Sequence, residues 1–196
     1  MNLTTSKYQW YSQKGLGTLF LMCALPLHFW TLLMAFRDVS WLTERTNLWD
    51  AIGVMSYGML FTFVESALIF AILSLLGFLI WKTWDHRRRV ALLSVLIFIT
   101  ALWSMAGQTY GMYDHSYPLW FAKFIGGQAH PVRVLYALGL IPVAPTIVIP
   151  AWLILRSEKS LRFVQDLMDR LSLLAGFYLA FDGIALVIVI VRNVKW

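Results

Sequence analysis

The sequence is short of the groups that build a water-soluble domain. Charged side chains make up 13% of the 196 residues and hydrophobic ones 60%, where a soluble chain carries about 25% and about 45–50%. A soluble enzyme domain, a disordered tail and a nucleic-acid-binding domain with a solvated basic face are therefore excluded. One cysteine, Cys23, excludes an intrachain disulfide framework and any metal site built from paired thiolates. The sequence has no HExxH, no GxSxG elbow and no Walker sequence, so the usual signatures of metalloprotease, serine-hydrolase and nucleotide chemistry are missing. Alternating ten-residue segments are also lacking, which argues against a membrane-spanning barrel. Repeats, low-complexity runs and linkers are absent, and residues 1–196 read as a single membrane domain.

What the chain does have is long apolar runs. Residues 15–36, 51–81, 90–113, 134–155 and 171–191 contain just two of its 16 basic and 10 acidic side chains, Glu65 and Asp182. A bilayer core of ~30 Å takes about 20 apolar residues in a helix that rises ~1.5 Å per residue. The expected fold is thus all-α, a polytopic transmembrane helical bundle with five spans at about 15–36, 57–81, 90–112, 134–155 and 171–191. The second run is too long for a perpendicular crossing. It either tilts or opens with an interfacial turn over 51–56. The first run exceeds a signal-peptide core and lacks a small-x-small cleavage site, so it reads as an uncleaved signal anchor.

Short cytoplasmic connections retain Lys and Arg. Lys7, Lys14, Lys82, Arg87, Arg88, Arg89, Arg156, Lys159, Arg162 and Arg170 fall on one side of the five spans; Arg37, Arg45, Lys123, Arg133, Arg192 and Lys195 fall on the other. This asymmetry predicts an inside N-terminus and an outside C-terminus. The net charge of +6 then serves orientation and attraction to anionic headgroups, without nucleic acid.

Between the spans, Pro118 starts a short helix over about 118–125 that lies flat at the outer surface and carries Trp120, Phe121 and Phe124 beside Tyr117. Trp41, Leu42, Leu48 and Trp49 repeat this aromatic mixture. The two groups either cap the outer helix ends together or belong to an ordinary aromatic belt. Ser157 caps a helix over about 157–170 with Leu161, Val164, Met168 and Leu171 on one stripe, which describes an amphipathic surface helix that can continue into the last span.

An intramembrane carboxylate is costly and usually faces protein or a wet cavity, so Glu65 and Asp182 are the leading functional candidates. Asp182 lies about 16 Å and His28 about 18 Å from the inner side on the helical rise, depths that allow a pair. Glu65, at about 25 Å, matches the depth of Ser104 and Gln108, with Thr62 one turn away. In one reading the acids titrate in proton-coupled transport or hold a cationic group; in the other they fix helix register. His28 as a single haem ligand has no second intramembrane His to support it. Asp114, His115 and His130 read as polar loop residues rather than metal ligands.

Two further patterns concern packing. Ser172, Gly176 and Ala180, and separately Ala67 and Ala71, form small-residue stripes that allow close helix approach. Pro142, Pro145 and Pro150 withdraw three backbone donors from the fourth span, so an unbroken helix there is not expected; a kink is the simpler outcome and a broken, ion-coordinating helix the more specialised one.

These features describe an integral membrane protein without a catalytic constellation, most simply an accessory or structural subunit of a membrane complex. The alternative is a small proton-coupled transporter or apolar-ligand binder using Glu65 and Asp182, and the third reading is an intramembrane enzyme acting on a lipid-linked substrate. No catalytic residue, metal ligand or cofactor is assigned. The expected partners are the lipid bilayer and other membrane subunits or a second copy, with no nucleic acid, in a prokaryotic cytoplasmic membrane.

Overall fold

A computed structural model describes residues 11–79, 85–112 and 117–194. It is all-helical: α1 Gln13–Arg45, α2 Leu48–Leu79, α3 His86–Met112, α4 Leu119–Gly126, α5 Pro131–Arg156 and α6 Glu158–Asn193. Five of these, all but α4, are long and apolar enough to cross a membrane. They alternate in direction, so α1, α3 and α6 begin at one membrane face, called here the N-terminal face, while α2 and α5 begin at the other.

Local chemistry sets the helix starts. Four N–H groups at each helix start lack a partner within the helix. Ser12 Oγ accepts from Gly15 N–H at 2.9 Å, Asn47 Oδ1 from Asp50 N–H at 2.9 Å, Asp85 Oδ1 from Arg87 N–H at 3.2 Å and Ser157 Oγ from Ser160 N–H at 3.2 Å. Burial opposes the charge on Asp85, but the hydrogen bonds and charge of Arg87, with His86 adding to them, hold its carboxyl below the usual aspartate range. Proline stands at the start of α5, where a missing donor costs nothing.

α1 is the central helix. It packs on α2, α3 and α6, whereas α5 lies outside α1 and rests on α3 and α6. Leu19, Met22, Cys23, Ala24, Leu25 and His28 of α1 are at most 5% exposed. Around them a core gathers from Leu73 of α2, Val90, Ala91, Leu93 and Ile97 of α3, Ile154 of α5, and Leu161 and Met168 of α6. These core residues, with Leu19, Met22 and Cys23 of α1, lie in the half of the bundle next to the N-terminal face. In the other half, α3 beyond Ile97 and α5 before Ile154 bury no described side chain.

Three expectations are corrected. Pro142, Pro145 and Pro150 all lie inside one uninterrupted helix. In lipid a break would strand still more backbone groups than the three carbonyls the prolines release, so the helix persists. The stripe Leu161, Met168, with Val164 and Leu171, is buried in the bundle core rather than laid on the membrane surface. This is because α6 runs unbroken from Glu158 and carries the stripe inward. Of the two alternatives for the second run, the interfacial turn is the one corrected, since residues 51–56 belong to a single helix that begins at Leu48. α4 occupies Leu119–Gly126, close to the expected position, and Trp120 and Phe121 form an aromatic group with Tyr117 and Tyr110. It packs on α5 and not on α1 or α2, so the two outer aromatic regions form no joint cap among the described residues. The side chains of Trp41 and Leu42, and residues Asp114 and His115, lie outside the described set.

Candidate functional site

The polar groups of the spans converge where α1, α2 and α6 meet. A helix rise of ~1.5 Å per residue brings His28 of α1 and Asp182 of α6 to one depth, and their side chains touch: His28 Nε2 lies 2.8 Å from Asp182 Oδ2. Both are shielded, with side-chain exposures of 0% and 8%. His28 Nδ1 lies 2.8 Å from the carbonyl of Ala24 one turn earlier. A carbonyl accepts, so Nδ1 carries a proton and donates it. The contact at Nε2 then needs one further proton between the partners, giving imidazolium with carboxylate or neutral imidazole with carboxylic acid. In either form the pair is neutral overall, which removes most of the cost of burying it. The Tyr178 ring lies parallel to the imidazole at 6.5 Å. With both nitrogens engaged, His28 has no lone pair free for iron.

Asp182 Oδ1 is buried without a hydrogen-bond partner among the described residues. Three residues beyond His28, Thr31 Oγ1 meets Thr62 Oγ1 of α2 at 2.7 Å, and Thr62 Oγ1 also bonds the Gly58 carbonyl at 2.9 Å. Ser66 Oγ donates to the Thr62 carbonyl at 2.7 Å. Glu65 stands three residues beyond Thr62. The polar string from Asp182 to Glu65 is thus broken at two steps, since no described hydrogen bond joins His28 to Thr31 or Thr62 to Glu65.

Glu65 itself is half-buried in the middle of α2 and forms no hydrogen bond or ion pair among the described residues. The expected partnership with Ser104 and Gln108 is not formed. α1 intervenes between α2 and α3, which meet at few points, and both Ser104 and Gln108 are exposed on α3. α3 uses this region to hold α5 instead: Trp103 Nε1–H donates to Thr146 Oγ1 at 3.0 Å. Of the small-residue stripes, Gly176, Ala180 and Ala71 are exposed while Ser172 and Ala67 are half-buried. A Cβ at Gly176 would meet nothing within 4 Å. His130 is exposed at the start of α5, and no group of three His, Cys, Asp or Glu able to hold a metal occurs among the described residues.

Two features escaped the sequence reading. At the face where α6 ends, Arg192 pairs with Asp50 Oδ1 at 2.7 Å, donates to the Trp49 carbonyl and covers the Trp49 ring at 5.5 Å. Any Cβ at Gly53 would lie 2.5 Å from the Arg192 guanidinium, so glycine makes room for this tie. At the N-terminal face, Arg89 is 1% exposed and its guanidinium lies 5.8 Å from the centre of the Tyr11 ring. Tyr11 donates to the Ser74 carbonyl at 3.0 Å. Burial pushes the Tyr11 hydroxyl above its usual range and the Arg89 charge pulls the other way, so the phenol stays protonated as that donor. Neighbouring Arg88 bonds the Leu155 carbonyl at 2.9 Å and pairs with Glu158, fastening α3 to the α5–α6 corner. In sequence these arginines are simply members of a basic connection, and no spacing separates buried Arg89 from half-buried Arg88 and exposed Arg87.

Compared with family models, with curated proteins and with solved structures, the chain matches none.

Proposed function

We propose that this integral membrane protein is a non-catalytic subunit of a larger membrane assembly, and that Glu65 marks the surface where it meets a partner. The observation that carries the reading is the carboxylate itself, half-buried at mid-span and unpaired by any described residue of its own chain. Such a group costs ~2.5 kcal/mol or more in lipid, and intramembrane acids characteristically face protein. A donor from a neighbouring helix, whether Lys, Arg, His or a hydroxyl, offsets that cost. The small residues along Gly176 and Ala180 give a second outward face fit for close helix contact.

Proton-coupled transport has less support, because no continuous path of hydrogen bonds joins the two acids among the described residues. The basic residues of the short connections favour the N-terminal face as cytoplasmic, the retained Lys and Arg being the determinant of orientation.

Glu65→Leu tests the reading. The wild-type protein, extracted in mild detergent from its native membrane, is expected to migrate as an assembly. The variant is expected to leave that assembly and to melt no lower than the isolated wild-type monomer, in which Glu65 has no partner among the described residues. A wild-type protein that is monomeric in native membranes, or a Glu65→Leu variant with unaltered assembly, overturns it.

A further inference from the structure

At the N-terminal face a cleft of about 320 Å³ opens between the starts of α1 and α3 and residues 165–169 in the first third of α6. Its walls carry opposite charge. Lys14 of α1 and His86 and Arg87 of α3 line one side, while Asp166 and Asp169 of α6 line the other. Arg87 also pairs with Asp85 at 2.8 Å, so Lys14 is the cation that faces the two aspartates across the cleft. The contact that spans the cleft, Lys14 to Asp169 at 3.6 Å, joins side chains 81% and 58% exposed. A pair so exposed is worth little and yields readily to a ligand that supplies both charges. The apolar residues Val90 and Met168 form the inner lining, and Thr18 adds a hydroxyl one turn into α1. The cleft sits at the level of lipid headgroups, because the spans of α1 and α3 begin at Gln13 and His86.

We propose that this cleft holds the headgroup of a zwitterionic aminophospholipid, its phosphate toward Lys14 and Arg87 and its primary ammonium toward Asp166 and Asp169. The opposed charges of the two walls select the class. An anionic headgroup without an amine places its phosphate near two carboxylates with nothing to neutralise them. A choline headgroup has the cation but no N–H with which to bond the carboxylates, and hydrogen bonds to charged groups are the stronger ones. Lys14 and Arg87 attract any phospholipid phosphate, so the acidic wall supplies the discrimination. This inference is independent of Glu65 and of any partner protein.

The test is native mass spectrometry of the purified full chain in detergent, with phosphatidylethanolamine, phosphatidylcholine and phosphatidylglycerol of matched acyl chains. Ethanolamine lipid is expected to be retained about tenfold over each of the others, the size of one charge-assisted hydrogen bond. Asp166→Asn with Asp169→Asn is expected to abolish the preference over choline lipid. Lys14→Gln with Arg87→Gln is expected to weaken ethanolamine and choline lipids alike. Both Asp166 and Asp169 are exposed, so their replacement leaves the bundle core intact. Equal retention of all three lipids by the wild type, a preference that survives the aspartate replacements, or displacement of the lipid by soluble phosphoethanolamine at equal concentration overturns the proposal.

Discussion

The two halves of the bundle are held together by different means. Next to the N-terminal face, α1, α3, α5 and α6 share an apolar core that includes Leu19, Met22, Leu93, Ile154 and Leu161, and arginine contacts close its edge. In the opposite half no described side chain of α3 or α5 is fully buried, and α1, α2 and α6 bury Ala51, Met59 and Ala185 and are joined through polar pairs: His28 with Asp182, Thr31 with Thr62, and Arg192 with Asp50. The contrast shows how little apolarity decides in lipid. Of the α1 segment 39% is buried and of the α5 segment 6%, although both are apolar enough to span. Lipid chains are as apolar as Leu, so close packing and hydrogen bonds choose the central helix.

The largest effect is expected at the pair that ties α1 to α6. His28→Leu alone leaves a buried carboxylate unpaired and is expected to cost about 3–5 kcal/mol, whereas His28→Leu with Asp182→Leu removes both groups and recovers most of that loss. Unfolding by denaturing detergent measures both. A double variant as unstable as the single one breaks the contrast between the halves. Next in size is Gly53→Val, which drives a side chain into Arg192 and is expected to cost about 1–3 kcal/mol. Gly139→Val on α5 meets open space and is expected to leave the same melting measurement unchanged. Equal losses at the two glycines contradict the assignment of one half as polar-tied and α5 as peripheral. The smallest effect is expected for Trp103→Phe, which removes the bond to Thr146 and costs about 0.6 kcal/mol, typical of an interhelical hydrogen bond in a membrane. Faster amide exchange confined to α5 is the readout, and protection lost equally from α1 contradicts it.

Five helices and the His28–Asp182 contact were legible because both rest on one-dimensional quantities, the length of apolar runs and depth along a rise. The neighbours of Glu65 were not, because depth fixes a level but not which helices share it. Ser104 and Gln108 lie at the right height on a helix that α1 holds away. The unbroken α5 was misread for a different reason: three prolines count against a helix in water, while in lipid every alternative exposes more backbone. Arg89 lay hidden among arginines of identical local chemistry. Gly53 gave no signal at all, since its meaning depends on Arg192 arriving from a distant segment.

The ties of the second half also fix an order of events during synthesis. Asp50 and Arg192 are 142 positions apart and His28 and Asp182 are 154 apart. At about 5–20 residues per second, Asp50 emerges roughly 7–28 s before its counterpart is made. Through that interval the first two helices carry polar side chains that α6 has yet to meet.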